Sequence, residues 1–116
     1  MALVRYRDVL KEMCSNKYGP EDPEWVHFVR DHVDYIRSQS ELKRYSTLDL
    51  RPYKYRPVEL YTSSGGKPSA TWIVLLINDI KSQMDFVETI GQLYIPPHKV
   101  IAQLRQQYES TPQYQA

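Results

Sequence analysis

The chain has 116 residues, enough for one domain of ordinary size, and its 41% hydrophobic and 25% charged content is normal for a folded protein. Its 15 Lys and Arg residues nearly balance 14 Asp and Glu residues, which argues against a dedicated nucleic-acid or membrane-surface binder, because such proteins usually carry a basic excess. Ten tyrosines stand against two Phe and two Trp, which favours a protein interface or, alternatively, a small core capped by Tyr rings.

The first predicted element is a short amphipathic helix over residues 3–15, where apolar side chains recur at three-four spacing. They are Leu3, Tyr6, Leu10 and Met13. Charges interrupt this stretch, so it lacks the apolar run of a signal peptide. Cys14 is the single cysteine, so no intrachain disulfide can form, and its apolar neighbours predict a buried structural thiol. The longest apolar run, residues 72–77, is far below the roughly 20 residues of a membrane helix, and we expect folding in a cytosol.

A second helix is predicted over residues 23–42, after a Gly- and Pro-rich break. Asp22 can cap it, Pro23 suits its first position, and Glu24 favours the positive end of the helix dipole. Residues 37–44, at its end, are polar and predict a solvated arm.

Two apolar stripes lie side by side on this helix and form a face wider than one packing partner normally covers. One stripe comprises Val26, Val29, Val33 and Ile36, and the other comprises Trp25, Phe28, His32 and Tyr35. The helix either packs on two neighbours in its own domain or turns half of this face toward another protein chain. We favour the second interpretation in a chain this short.

Residues 45–96 predict a strand, two helices and a second strand. Alternation predicts a strand over residues 45–55, with Leu48 and Leu50 on one face, and residues 56–63 form a short helix with Pro57 near its start. Residues 69–80 suit a buried strand or a helix, and their length and the helix-ending Asn78 favour the helix. Gln92–Ile95 is a short strand. A last helix begins at Pro97, and a Gln-rich tail from residue 106 is expected to be mobile or ordered on a partner.

The residues most often used in catalysis and metal binding form no convincing site. His27 and His32 are five residues apart and lie on different helix faces, while His27, Asp31 and Asp34 share a face that is typical of a solvated helix. His98 is the third candidate histidine. In SSGGKP, residues 63–68, the Gly that a phosphate loop requires is replaced by Tyr61 and its Ser or Thr by Pro68, so a connecting loop is predicted.

Basic and aromatic residues alternate over residues 43–56, namely Lys43, Arg44, Tyr45, Arg51, Tyr53, Lys54, Tyr55 and Arg56. Such a stretch could bind single-stranded nucleic acid, or it could contact another protein through Arg and Tyr. The balanced charge of the whole chain favours the protein contact.

The sequence LLINDI at residues 75–80, followed by GQLYIP at residues 91–96, resembles the second half of a LysM module, in which an apolar helix ends at Asn and a short strand ends in Ile-Pro. Arg56-Pro57, Tyr61 at the end of the short helix and Trp72 at the start of the apolar helix are similar to the LysM-like baseplate wedge protein of T-even-type contractile-tailed phages. The Gly-Asp-Thr-like start of glycan-binding LysM modules is absent, and the loop after Tyr61 is differently built.

This resemblance implies an α+β fold with an N-terminal helical arm (residues 1–44), a LysM-like βααβ core (45–96) and a C-terminal helix with a mobile tail (97–116). It further implies a structural virion protein, not an enzyme and without metal or cofactor, that connects neighbouring baseplate proteins, present in multiple copies, without binding nucleic acid, membrane or a small-molecule substrate. The alternative is a LysM-type peptidoglycan-binding module of a tail or cell-wall-associated protein. The expected partner contacts are Trp25, Phe28, His32, Tyr35, Arg51, Tyr53, Lys54 and Tyr55, and the expected core residues are Trp72, Leu75, Leu76, Leu93 and Ile95.

Overall fold

A computed structural model describes residues 18–111, and their elements form an α+β fold, as predicted. The two strands are β1 (Glu41–Arg44) and β2 (Gln92–Ile95). The helices are α1 (Pro23–Asp31), α2 (Val33–Gln39), α3 (Thr47–Leu50), α4 (Pro57–Ser63), α5 (Thr71–Ile77) and α6 (His98–Glu109). Short 3-10 turns occupy Arg51–Tyr53, Pro68–Ala70 and Gln83–Asp85. The predicted helix over residues 3–15, Cys14 and the end of the predicted tail lie outside the described residues.

The strands pair antiparallel, and three helices, α3, α4 and α5, lie between them in the chain, where the sequence predicted two. The register places Glu41 opposite Ile95 and Arg44 opposite Gln92. Leu93 and Ile95 point into the core, as predicted, because alternate side chains of a strand face the same side. The bounds of β2 are those expected from the sequence, and residues 71–77 are helical as favoured.

The second predicted helix is divided in two, although its start is confirmed. Asp22 caps α1 by accepting a hydrogen bond from the backbone N–H of Glu24 at 3.1 Å, and Pro23 is the first helical residue. His32 breaks the helix with φ −113° and ψ 16°, and its Nδ1 lies 2.7 Å from the carbonyl oxygen of Phe28. The chain then turns extended at Ser40 after α2.

The prediction that residues 37–44 form a solvated arm is wrong, because both of its halves are bonded to other elements. Glu41–Arg44 is the strand β1. Arg37 donates from Nε to the carbonyl oxygen of Ile77 at 2.6 Å and pairs with Asp79 at 3.2 Å. A cation at the last carbonyls of α5 is favourable, since those groups lack partners within the helix.

The prediction of a strand over residues 45–55 is also wrong, since a capping box starts a helix there. Ser46 Oγ accepts from the backbone N–H of Asp49, and the Asp49 carboxylate accepts from the backbone N–H of Ser46, each at 3.1 Å. This reciprocal pair stabilises α3, and the 3-10 turn follows it. Leu50 is consequently buried while Leu48 is 71% exposed, so the two do not share a face.

Helix α5 buries one apolar stripe, but it is a different stripe from the one predicted. Ile73, Val74 and Ile77 are at most 2% exposed. Trp72, Leu75 and Leu76, which were expected in the core, are only partly buried against it. Both stripes have helical spacing and both are apolar, so the pattern alone does not distinguish the inner face from the outer one.

The C-terminal helix is confirmed and closes the fold. It buries Val100, Ile101, Leu104 and Tyr108. The Tyr108 hydroxyl donates to the Asp22 carboxylate at 2.6 Å, which joins the start of α1 to the end of α6. The helix continues to Glu109, so residues 106–109 belong to it and not to the predicted mobile tail.

Candidate partner interface

Half of the predicted docking stripe lies inside the chain. Trp25 is 0% and Phe28 is 4% exposed, and both rings have their centroids 5.5 Å from that of Tyr108 on α6. His32 is half-buried, with its ring centroid 4.3 Å from that of Phe28. The structure therefore corrects the expectation that Trp25 and Phe28 are exposed for a partner, because Tyr108 on the C-terminal helix of the same chain covers both rings.

Tyr35 is the exposed member of the stripe, at 45%. It lines an open hollow of about 490 Å³ between α2 and α6. The other lining residues are Val100, Gln103, Leu104, Gln106, Gln107 and Ser110. The hollow combines the amides of three Gln side chains with apolar Val100 and Leu104, and the exposed Tyr35 remains available as a contact residue.

The other four predicted contact residues lie together in a turn at residues 51–55, which we name the basic turn. Arg51, Lys54 and Tyr55 are exposed, while Tyr53 packs partly against the core. Tyr55 has φ 62°, a left-handed conformation that is uncommon for a residue with a Cβ. Its backbone N–H donates to the carbonyl oxygen of Phe86 at 2.8 Å, and this bond holds the turn in place.

The charges of the basic turn are partly paired. Lys54 Nζ lies 3.7 Å from the Glu88 carboxylate and 5.2 Å from the centre of the Tyr55 ring. Glu88 stands in the segment before β2, so this ion pair and the Tyr55–Phe86 bond tie the basic turn to the loop that precedes the last strand. Arg51 is exposed at the start of the 3-10 turn, where its guanidinium can meet a carboxylate of another molecule.

Sequence reasoning missed an open apolar groove between α1 and α5. Its apolar lining is Val26, Trp72, Leu75, Leu76 and Ile80, with Pro20 at one end and Arg30, Asp79 and Lys81 at the rim. The volume of this α1–α5 groove is about 490 Å³. A second hollow of about 250 Å³ shares Pro20, Trp72 and Leu75 with it and extends toward Val58. The sequence feature that could have indicated this groove is the second apolar stripe of α5, Trp72, Leu75 and Leu76, which we predicted to be core.

Several titratable groups among the described residues have shifted pKa values, and burial and contacts within the fold cause these shifts. Burial raises the pKa of Tyr61 to about 12. Burial and the hydrogen bond to Asp22 raise the pKa of Tyr108 to about 12, and the same hydrogen bond lowers the pKa of Asp22. Burial, with a smaller effect of Lys67, lowers the pKa of His98.

Residues 18–111 contain no group of three or more His, Cys, Asp or Glu side chains arranged to hold a metal ion. In the same range no helix has the length and apolar character needed to cross a membrane.

Comparison of the chain with protein-family models, with curated proteins and with solved structures finds no match.

Proposed function

We propose that this chain is a structural virion protein that connects neighbouring subunits in the baseplate of a contractile phage tail. The observation that supports this proposal is the role of the wedge-like sequence positions in the fold. Pro57 opens α4, and Tyr61, near its end, donates its hydroxyl to the carbonyl oxygen of Pro96 at 3.0 Å. Asn78 ends α5 and bonds the backbone of β2.

These positions serve the scaffold, so the contacts of an assembly protein would come from side chains that the scaffold exposes. The basic turn fits such a role because Arg51, Lys54 and Tyr55 project from a backbone that is already fixed. Arg and Tyr are enriched among the residues that dominate binding energy at protein interfaces. A preformed turn loses little conformational freedom on binding, which favours affinity.

The proposal is tested by incorporation into particles. A double variant, Arg51→Glu with Tyr55→Asn, removes both anchors, and Asn tolerates the left-handed backbone of residue 55. We expect this protein to fold normally and to enter purified tail particles at least about tenfold less than the parent, a factor worth about 1.4 kcal/mol. Quantitative mass spectrometry of the particles measures it.

Lys99→Glu is the matched control, because Lys99 is an exposed cation on α6 and does not belong to the basic turn. It should be incorporated like the parent. If the parent chain itself is missing from tail particles, the proposed function is refuted. If the parent and the double variant are incorporated equally, the function stands and the basic turn is not the contact surface.

A peptidoglycan-binding module is the second candidate, and one observation favours it. The segments after β1 and before β2, which would hold a glycan in a LysM module, adjoin in this fold. Tyr45 donates its backbone N–H to the carbonyl oxygen of Gly91 at 2.7 Å, and the basic turn bonds Phe86. Co-sedimentation with insoluble cell wall tests this candidate: retention of the folded protein supports it, and recovery of all protein in the supernatant dismisses it.

A further inference from the structure

We propose that two copies of this chain associate through the outer edge of β1, which pairs antiparallel with the same edge of the second copy. Leu42 lies opposite Leu42 of that copy, and the two sheets join into one sheet of four strands. The inference goes beyond the baseplate proposal and does not rest on it. It rests on the direction of the backbone groups of β1 and on the order of its charges.

The hydrogen bonds of β2 show which backbone groups of β1 point outward. Asn78 bonds both the N–H and the carbonyl oxygen of Tyr94, so these two groups point away from β1. Leu42 is the register partner of Tyr94. Opposite residues in an antiparallel pair either both turn their backbone groups toward each other or both turn them outward. The N–H and carbonyl of Leu42 therefore point away from β2, and so do those of Arg44, two residues further on.

The outer edge of β1 is open among residues 18–111. Within that range the outward backbone groups of Leu42 and Arg44 have no hydrogen-bond partner. The Leu42 side chain is 42% exposed, and the side chains of Glu41 and Arg44 are exposed as well. An edge of this kind is a template for a further strand, which gains backbone hydrogen bonds on pairing.

The charges of β1 select the second copy as the occupant of this edge. Glu41 and Lys43 flank Leu42 with opposite signs. When two copies meet antiparallel at Leu42, Glu41 of each copy lies opposite Lys43 of the other. Their Cα atoms are then about 4.5 Å apart, as in other pairs without mutual backbone bonds, and opposite charges stabilise such a pair. The two-fold symmetry forms this contact twice.

The same charges select the register. A shift that places Leu42 opposite Arg44 brings Lys43 opposite Lys43 of the second copy, and like charges in that position are destabilising. The register centred on Leu42 avoids this repulsion. It also brings the two exposed Leu42 side chains together, which removes apolar surface from water.

Charge reversal in the full chain tests the pairing. Glu41→Lys makes both flanking positions basic in each copy, and Lys43→Glu makes both acidic. Either single variant should raise the dissociation constant of the dimer at least about tenfold, because like charges then face each other twice. An equal mixture of the two variants should associate again, since every basic position then meets an acidic one. Sedimentation velocity up to about 1 mM protein measures each association.

Glu21→Lys and Lys99→Glu are the matched controls. Both residues are exposed and lie outside β1, and the two substitutions change net charge by the same amounts as the β1 variants. Each control alone should associate like the parent. Their equal mixture should associate no more strongly than the parent, so recovery in the β1 mixture reports the position of the charges and not the net charge. Recovery also shows that both β1 variants are folded.

Hydrogen exchange locates the contact at the backbone. The Leu42 amide should exchange at least about tenfold more slowly in the dimer than in the monomer, because it gains a carbonyl partner. The Tyr45 amide is the internal reference, since it already donates to the carbonyl oxygen of Gly91 at 2.7 Å and should not depend on concentration. Nuclear magnetic resonance at low and high protein concentration resolves both amides.

Three results would overturn the assignment. The first is a parent chain that stays monomeric over the whole concentration range. The second is a dimer that neither β1 variant weakens, or a β1 mixture that associates no better than its parts. The third is a dimer in which exchange of the Leu42 amide is unchanged, because the two copies would then meet at another surface.

Discussion

At the scale of single residues, the Gly-rich loop acquires a steric explanation. The Tyr61 ring lies directly over Gly66, so a Cβ at position 66 would overlap the ring. Tyr61 cannot simply move away, because it is 1% exposed and its hydroxyl is bonded to the carbonyl oxygen of Pro96. Gly65 serves a different need, a left-handed turn at φ 94° with open space around it. The two glycines in SSGGKP thus serve packing and a turn, in keeping with the predicted connecting loop.

This difference predicts unequal costs for two neighbouring substitutions. Gly66→Ala forces the buried Tyr61 ring from its place, and we expect a loss of about 1–3 kcal/mol in the free energy of unfolding. Gly65→Ala introduces only backbone strain and should cost about 1 kcal/mol. Urea unfolding followed by circular dichroism measures both. A cost of Gly66→Ala below that of Gly65→Ala, or no effect of Gly66→Ala, would contradict the packing described for Tyr61.

Trp25 and Phe28 are buried within the chain, although the sequence predicted them to be partner contacts. An apolar stripe on a helix indicates that this face of the helix is buried, but it does not identify the element that buries it. Here the cover is Tyr108, which is distant in sequence and touches both rings. Of the predicted contacts, Tyr35, Arg51, Lys54 and Tyr55 are the exposed ones.

At the scale of elements, Asn78 joins α5 to the sheet. Its Nδ2 donates to the carbonyl oxygen of Tyr94 at 2.9 Å, and its Oδ1 accepts from the backbone N–H of Tyr94 at 2.7 Å. The side-chain amide therefore occupies a backbone donor and acceptor of β2, as a neighbouring strand would. A two-stranded sheet has two edges, and this contact satisfies part of one of them. An Asn at the end of the apolar helix thus has a physical reason in this fold.

The loss of this bridge is predicted to weaken the whole domain. In Asn78→Ala the backbone N–H and carbonyl of half-buried Tyr94 lose their partner, and the expected cost is about 2 kcal/mol. Hydrogen exchange of the Tyr94 amide should accelerate, and urea unfolding should give the energy. Gln103→Ala, an exposed substitution on α6, should stay within about 0.5 kcal/mol of the parent. A variant of Asn78 as stable as this control would show that the amide bridge contributes nothing.

At the scale of the whole molecule, two tyrosine hydroxyls connect distant parts of the chain. Tyr61 joins α4 to the residue after β2, and Tyr108 joins α6 to the cap of α1. Burial raises both pKa values to about 12 from an ordinary value of 10.0. The unfolded chain therefore loses these protons at a lower pH than the folded chain does.

Stability is consequently predicted to fall in alkali. The contribution of the raised Tyr pKa values is fully present below about pH 10 and is lost as the pH rises toward about 12, since the unfolded state then binds fewer protons. For Tyr61 the full loss corresponds to about 3 kcal/mol. Urea unfolding of the parent and Tyr61→Phe between about pH 8 and about pH 11 measures it. The variant should be less stable at neutral pH but lose less stability in alkali, and parallel curves would contradict the prediction.

Much of the secondary structure could be predicted because its signals are local. The Asp22-Pro23 start, Pro57 at the head of α4, Gly91 before β2 and Pro96 after it act through the backbone of adjacent residues. The start of α6 followed from Pro97 and apolar spacing. The position of β1 could not be predicted, because the alternation of apolar and polar residues is stronger over residues 45–55 than over Glu41–Arg44. The side chains of Glu41–Arg44 are mostly exposed. The capping box of Ser46 and Asp49 was the local signal that could have prevented this error.

The candidate site was predicted in part for the same reason. Residues 51–55 are close in sequence, so their joint exposure in one turn needed little tertiary information. The α1–α5 groove required knowledge of which apolar stripe of α5 faces inward, and that depends on the strands and on α4.

By itself, the sequence determined the α+β class, the starts of α1, α4 and α6 and the strand β2, because caps, prolines, glycines and periodicity act over a few residues. Only the tertiary structure decided that Trp25 and Phe28 are core, that Trp72, Leu75 and Leu76 line a groove, and that residues 41–44 form β1. Those outcomes depend on contacts between residues far apart in the chain. For such contacts an apolar pattern indicates that burial is favourable but does not identify the partner.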